Sequence, residues 1–189
     1  SWQRPNAEHE EALVGFVQRL LVGEEGATFR SDLREIIERV AYPGAIGSLT
    51  QVLAKITSPG VPDFYQGSEL WELSLVDPDN RRPVDFERRR TLLASIEKRA
   101  EEDREKLCRE LHHELWDGQI KLYVTARALA VRKRFAELFQ QGAYRPLDVL
   151  GRRSAHLCVF ARQREKQWAL TALPSRIARL STCLLYTSP

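Results

Sequence analysis

The sequence has 189 residues, 43% hydrophobic and 29% charged, with 29 basic against 26 acidic side chains and a net charge of +3. That is an ordinary globular composition with room for one domain, or one and a part, and its charge is too balanced to imply nucleic acid or another polyanion as partner. No apolar run approaches the ~18 residues of a membrane span, and nothing in Ser1, Trp2, Gln3 and Arg4 reads as a secretory signal.

Taken in order, residues 7–22 carry Leu13, Phe16, Val17, Leu20 and Leu21 at helical spacing, with Glu8, Glu10 and Glu11 in the first turn. Gly23 is expected to stop this helix, and Gly26 lies in the turn. Ser31 is placed to cap a second helix with Leu33, Ile36, Ile37 and Val40 on one face. Pro43 and Gly44 predict an interruption before a third helix, whose face of Ile46, Leu49, Val52, Leu53 and Ile56 suits packing on a sheet.

Residues 58–85, SPGVPDFYQGSELWELSLVDPDNRRPVD, differ from everything around them. Four prolines and two glycines forbid a long helix. Residues 61–66 form a short apolar-aromatic run expected as a strand. The rest is a long irregular loop, and a loop longer than connection requires usually carries function. Phe64, Tyr65 and Trp71 offer apolar ring faces, while Asp77, Asp79, Asn80, Arg81, Arg82 and Asp85 offer acceptors, donors and an amide that does both. Sugars need that combination. The plainer reading keeps residues 79–82 as a solvated turn and Asp85 as the N-cap of the next helix, and for Asp85 the cap is favoured.

Beyond the loop, residues 86–99 predict a charged helix with Leu92, Leu93 and Ile96 inward, continued over 101–116 by Leu107, Leu111 and Leu115. The run Arg88, Arg89, Arg90 reads as solvated helix surface. Asp117 and Gly118 break the pattern, and 119–141 is expected to be the longest helix. Its stripe is Leu122, Ala126, Leu129, Phe135, Leu138 and Phe139, with Arg127, Arg132, Lys133 and Arg134 as surface charge. After Gly142 the pattern alternates (Tyr144, Leu147, Val149; 156–161; 168–173), as in an opening β-sheet. Cys108, Cys158 and Cys183 are odd in number and lack metal-ligand spacing, so they read as reduced thiols of a cytoplasmic protein. His112 and His113 are adjacent and point to different faces of a helix, and His9 and His156 have no obvious partners. No metal site is assigned.

The string from Pro59 to Glu69 resembles the G-x-P-x-x-Y-x-G-x-E segment at the eighth strand of α-amylase-superfamily barrels. The fuller SPGVPDFYQGSELWELSLVDPDNRRPVDF resembles the maltooligosyl trehalose synthases, the (1→4)-α-D-glucan 1-α-D-glucosylmutases. Ser1-Trp2 with Pro5-Asn6, then residues 118–125 (GQIKLYVT) and 142–147 (GAYRPL), extend the likeness over roughly 1–176.

The resemblance implies a mainly α fold with a short β part: the C-terminal fragment of an α-amylase-type (β/α)8 barrel, followed by the start of a β-sheet domain. A whole barrel needs about 250 residues. Residues 1–117 would end the catalytic barrel with the substrate loop 58–85, 118–141 would connect, 142–176 would open the β-domain, and 177–189 would be a truncated or foreign tail. The implied substrate is a maltooligosaccharide, contacted by Tyr65, Gln66, Asp77, Asp79, Asn80, Arg81 and Arg82. Asp63 is a weaker candidate, and Glu69 reads as a supporting residue.

Retaining glycosyl transfer uses two carboxylates about 5 Å apart, and the resemblance places these before Ser1, so no catalytic residue is assigned. The implied reaction, in the parent isomerase, turns the reducing-end α-1,4 bond into an α,α-1,1 bond by intramolecular transglucosylation, without a cofactor. Residues 77–82 would help enclose the released glucose. The implied partner is the missing N-terminal part of the same enzyme, and the piece alone is expected to be inactive. The alternatives are a non-catalytic maltooligosaccharide-binding or structural remnant, or another glucan hydrolase of the superfamily. Apolar surface through Ile56 and Leu93 separates them: exposed in a piece standing alone, buried where an upstream part completes it.

Overall fold

The computed structural model describes Arg4 and residues 6–180. Ser1, Trp2 and Pro5 of the family likeness, Cys183, and the end of the suspect tail lie outside the described residues. The rest is mainly helical with one small antiparallel sheet. It forms two units, Ser1–Ala45 with Ile177–Pro189, and Ile46–Arg176.

In the first unit, α1 (Ala7–Leu21) starts where Asn6 accepts a hydrogen bond from the His9 amide at 3.2 Å. This cap satisfies one orphan donor of the first turn. α2 (Ala27–Thr57) follows a short 3-10 turn at Glu24–Gly26. Arg30 donates from one guanidinium nitrogen to the carbonyls of Leu20 and Gly23, at 3.0 and 2.6 Å, and so ties the start of α2 to the end of α1. Two expectations are corrected here. Ser31 is not a cap but lies inside α2, and Pro43 and Gly44 do not divide it. A proline removes one N–H from the helical ladder, and here the flanking turns carry the helix through that single loss. The apolar stripes of Leu13, Phe16, Val17, Leu21, Ile36, Ile37 and Val40 are exposed. Periodicity identifies an apolar face, but burial requires a surface to meet it.

In the second unit, α2 contributes Val52 and Ile56, both buried. α3 (Phe86–Glu102) is capped as expected by Asp85, whose carboxylate accepts from the Arg88 amide at 2.8 Å. Asp103 ends α3 and caps α4 (Arg104–His113). Leu70, Ile96, Leu107, Leu111 and Leu122 form a buried cluster, flanked by half-buried Leu92, Leu93, Ile120 and Tyr123. The faces through Ile56 and Leu93 are therefore covered by this chain itself. The expected long helix is two, α5 (Gln119–Arg134) and α6 (Ala136–Gln141), parted at Phe135. Phe135 is exposed rather than inward, and α2 is longer than either.

α6 packs against a sheet in the order β1 (Ala143–Leu147), β2 (Leu157–Arg164), β3 (Gln167–Pro174). Both pairings are antiparallel, with Arg145 opposite Ala161 and Phe160 opposite Thr171. Leu138, Phe139, Phe160 and Leu173 are buried. Pro146 in β1 suits an edge strand, which needs no second ladder. No strand forms over 61–66. A strand exists only through its ladder, and among the described residues no other strand lies beside this segment. No described helix is long and apolar enough to cross a membrane.

Candidate functional site

The loop leaves α2 after Thr57 and is fastened by long side chains from the helices around it. Arg132 of α5, expected on the surface, is half-buried and donates to the carbonyls of Ile56, Ser58 and Gly60. Lys55 donates to the Asp63 carbonyl at 2.8 Å, with its ammonium 3.9 Å from the centre of the Phe64 ring. The Tyr65 carbonyl accepts from the Ser68 amide and hydroxyl, closing a turn through Gly67, whose φ of +91° favours glycine. Trp71 is half-buried, and its indole donates to the Leu115 carbonyl at 2.7 Å.

Arg89 closes the base of the loop. It donates to Glu69 at 2.9 Å, to the Gly67 carbonyl at 2.9 Å and to the Asp85 carbonyl at 3.1 Å. It thereby holds residues from both ends of the polar stretch. Glu69 is thus occupied in an ion pair. Within the run Arg88, Arg89, Arg90, only Arg89 turns inward; Arg90 pairs with Glu87 on the surface.

The predicted residues divide. Asp77 and Arg81 form an exposed two-pronged pair at 3.1 and 2.8 Å, and this hydrogen bonding raises the Arg81 pKa above its ordinary value. Asp79 accepts from the Leu75 amide at 2.8 Å with one oxygen and from Arg82 with the other. Tyr65 is exposed. Gln66, Asn80 and Arg82 do come together. With Glu72, Ser74 and Arg89 they line a cleft of about 230 Å³, a volume on the scale of a single sugar ring rather than a drug-sized pocket. The Asn80 amide oxygen is buried and has no hydrogen-bond partner. Such an acceptor is costly to leave unpaired. Glu72 accepts from the Ser74 amide at 2.8 Å and from its hydroxyl, which holds its carboxyl below the usual range. Sequence reasoning missed Glu72, Ser74, Lys55, Arg89 and Arg132. Only Arg89 had a local signal, four residues after the cap Asp85.

Lys121 of α5 is buried, with its ammonium 5.6 Å from the centre of the Trp71 ring. Desolvation lowers its pKa first, and Lys55 lowers it further, against opposing contributions from Glu69 and Glu72. In the unfolded chain a lysine keeps its proton to about pH 10.4. Between the lowered folded value and that point the unfolded state binds more protons, so stability rises with pH. The Lys121→Met variant is expected to be more stable than the parent at neutral pH, with the gain shrinking as pH approaches 10. Urea unfolding at pH 7 and 9.5 checks this, and a gain that grows with pH contradicts it.

Cys108 and Cys158 are free and exposed. Among the described residues no group of three or more His, Cys, Asp or Glu is placed to hold a metal.

No protein-family model matches the chain. Among solved structures, a crystal structure of a maltooligosyl trehalose synthase superposes on 92% of this chain with a TM-score of 0.69 and 34% identity. The maltooligosyltrehalose synthase from Arthrobacter ramosus superposes on 88% with a TM-score of 0.66 and 28% identity. The helices, the fastened loop and the small sheet thus share the architecture of one part of these synthases. In sequence, two proteins of Mycobacterium tuberculosis named putative maltooligosyl trehalose synthase are 35% identical over 162 residues, 86% of this chain. The chain belongs to the maltooligosyl trehalose synthase family. It spans about a fifth of its relatives' length: 18% of the two mycobacterial proteins, and 22% and 19% of the two solved chains.

Proposed function

We propose that this chain is a substrate-side portion of an enzyme that converts the reducing-end α-1,4 bond of a maltooligosaccharide into an α,α-1,1 bond. In this reading residues 1–117 belong to the end of an α-amylase-type barrel, 118–141 connect, 142–176 open a β-domain, and 177–189 are a tail of other origin. The carrying observation is the cleft where Gln66, Asn80 and Arg82 meet Glu72, Ser74 and Arg89. Sugar hydroxyls can accept from the guanidinium groups that line it and donate to its carboxylate, which an apolar ligand cannot do.

The chemistry is a retaining transfer. A carboxylate outside this chain displaces the reducing-end glucose and forms a glycosyl-enzyme, with the proton going to the leaving oxygen. The anomeric hydroxyl of that glucose then attacks the same carbon and returns its proton, so no water is consumed. The loop serves this scheme by holding the free glucose while water is kept away. No cofactor enters. The exposed apolar faces of α1 and of α2 before Ala45 suit contact with the remaining portion of such an enzyme.

Incubation of the purified chain with maltopentaose tests the reading. The reducing ends are expected to persist with the chain alone and to fall when the upstream portion of a related synthase is supplied. Conversion by the chain alone overturns the placement of the carboxylates elsewhere and directs attention to Asp63, Glu69, Asp77 and Asp79. Failure of a folded mixture to convert maltopentaose counts against the reading itself.

A further inference from the structure

The beginning of the loop has little packing of its own. Pro59 and Gly60 are exposed, and Val61 is 94% exposed. What orders it is Arg132, 72 to 76 residues away in sequence. One terminal nitrogen of its guanidinium donates to the Ile56 carbonyl and, at 3.2 Å, to that of Ser58; the other donates to that of Gly60. These carbonyls belong to the last turn of α2 and the residues after it, where a helix leaves acceptors unpaired and favours a cation. A planar fork with several fixed donors suits three carbonyls in a row, and a lysine does not supply it.

The other end of α5 holds the same loop further along. Gly118, at φ +82°, lies so close to the loop that a Cβ there would stand 3.1 Å from the Trp71 amide nitrogen. Leu115, just before it, accepts the Trp71 indole. A helix of 16 residues is about 24 Å long, so α5 acts as a strut gripping the loop near both residue 60 and residue 71.

We propose that Arg132 is a positioning residue for substrate: by fixing the carbonyls of Ile56, Ser58 and Gly60 it sets where Tyr65 and Gln66 are presented. The inference rests on reading the loop as sugar-binding.

Hydrogen exchange and maltopentaose titration of the whole chain test it, using Arg132→Ala, Arg132→Lys and, as control, Lys133→Ala on the exposed side of α5. Arg132→Ala is expected to speed exchange of the Ser58 amide, which donates to the Ala54 carbonyl at the end of α2, at least about tenfold, since each hydrogen bond from a charged donor contributes on the order of a factor of ten or more. Maltopentaose affinity is expected to fall several-fold, while exchange at Leu107, Leu111 and Leu122 stays unchanged. Arg132→Lys should recover part of both effects, and Lys133→Ala should match the parent. Parent-like affinity in Arg132→Ala overturns the positioning role, as does a loss of affinity accompanied by faster exchange throughout the core. Absence of maltopentaose binding by the parent chain overturns the sugar reading instead, and the positioning role with it.

Discussion

Replacing Arg89 with alanine will unfasten the base of the loop and lower the stability of the chain by about 2 kcal/mol, with loss of the cleft beside it. The side chains of Arg89 and Glu69 are only 16% and 27% exposed. Removing the arginine therefore leaves a carboxylate partly withdrawn from water without its counter-charge, together with a Gly67 carbonyl that has lost its Arg89 donor. Full burial of such a pair would raise the cost to about 3–5 kcal/mol; partial exposure keeps it below that. Arg89→Lys should recover less than half, because an ammonium cannot span the carboxylate and two carbonyls in one plane. Urea unfolding measures the stability change, and exchange of the amides of residues 66–69 reports the opening. Stability and exchange both equal to the parent's would falsify the fastening role.

Ile96→Ala is expected to cost about 3 kcal/mol, within the range for deleting a fully buried aliphatic side chain. Ile96 is 1% exposed at the centre of the cluster of Leu70, Leu107, Leu111 and Leu122. For a chain of this size about 3 kcal/mol lowers Tm by roughly 6–12 °C. The effect reaches the loop because Leu70, itself a loop residue, is held by that cluster. Exchange of residues 66–72 should accelerate together with that of α3. A drop of less than about 1 kcal/mol in urea would show that neighbouring side chains close the space, and that the cluster does not anchor the loop.

Much of the local structure was legible. The Asp85 cap was readable because capping involves a carboxylate and an amide three residues apart. The helix from Ala7, the break at Gly118 and the alternation that becomes β2 and β3 were readable for the same reason: each is written within a few residues. The composition of the loop marked it as different. The cleft was legible only in part: Gln66, Asn80 and Arg82 meet there, while Asp77 and Arg81 satisfy each other in solvent.

What the sequence by itself determined, then, is most of the helical segments, the cap at Asp85, which faces are apolar and which stretch differs in composition from the rest. These depend on interactions over one to four residues and on period. Only the tertiary structure decided the fate of each apolar face and each arginine. Arg127, Arg132, Lys133 and Arg134 look alike along one helix, yet only Arg132 is given three carbonyls to hold, because the end of α2 lies beside it. Glu69 finds Arg89 across 20 residues. Residues 61–66 have a strand's composition without a ladder, since a strand is completed by a neighbour rather than by its own residues. Long-range partners are set by where the chain brings segments together, and no local pattern encodes that meeting.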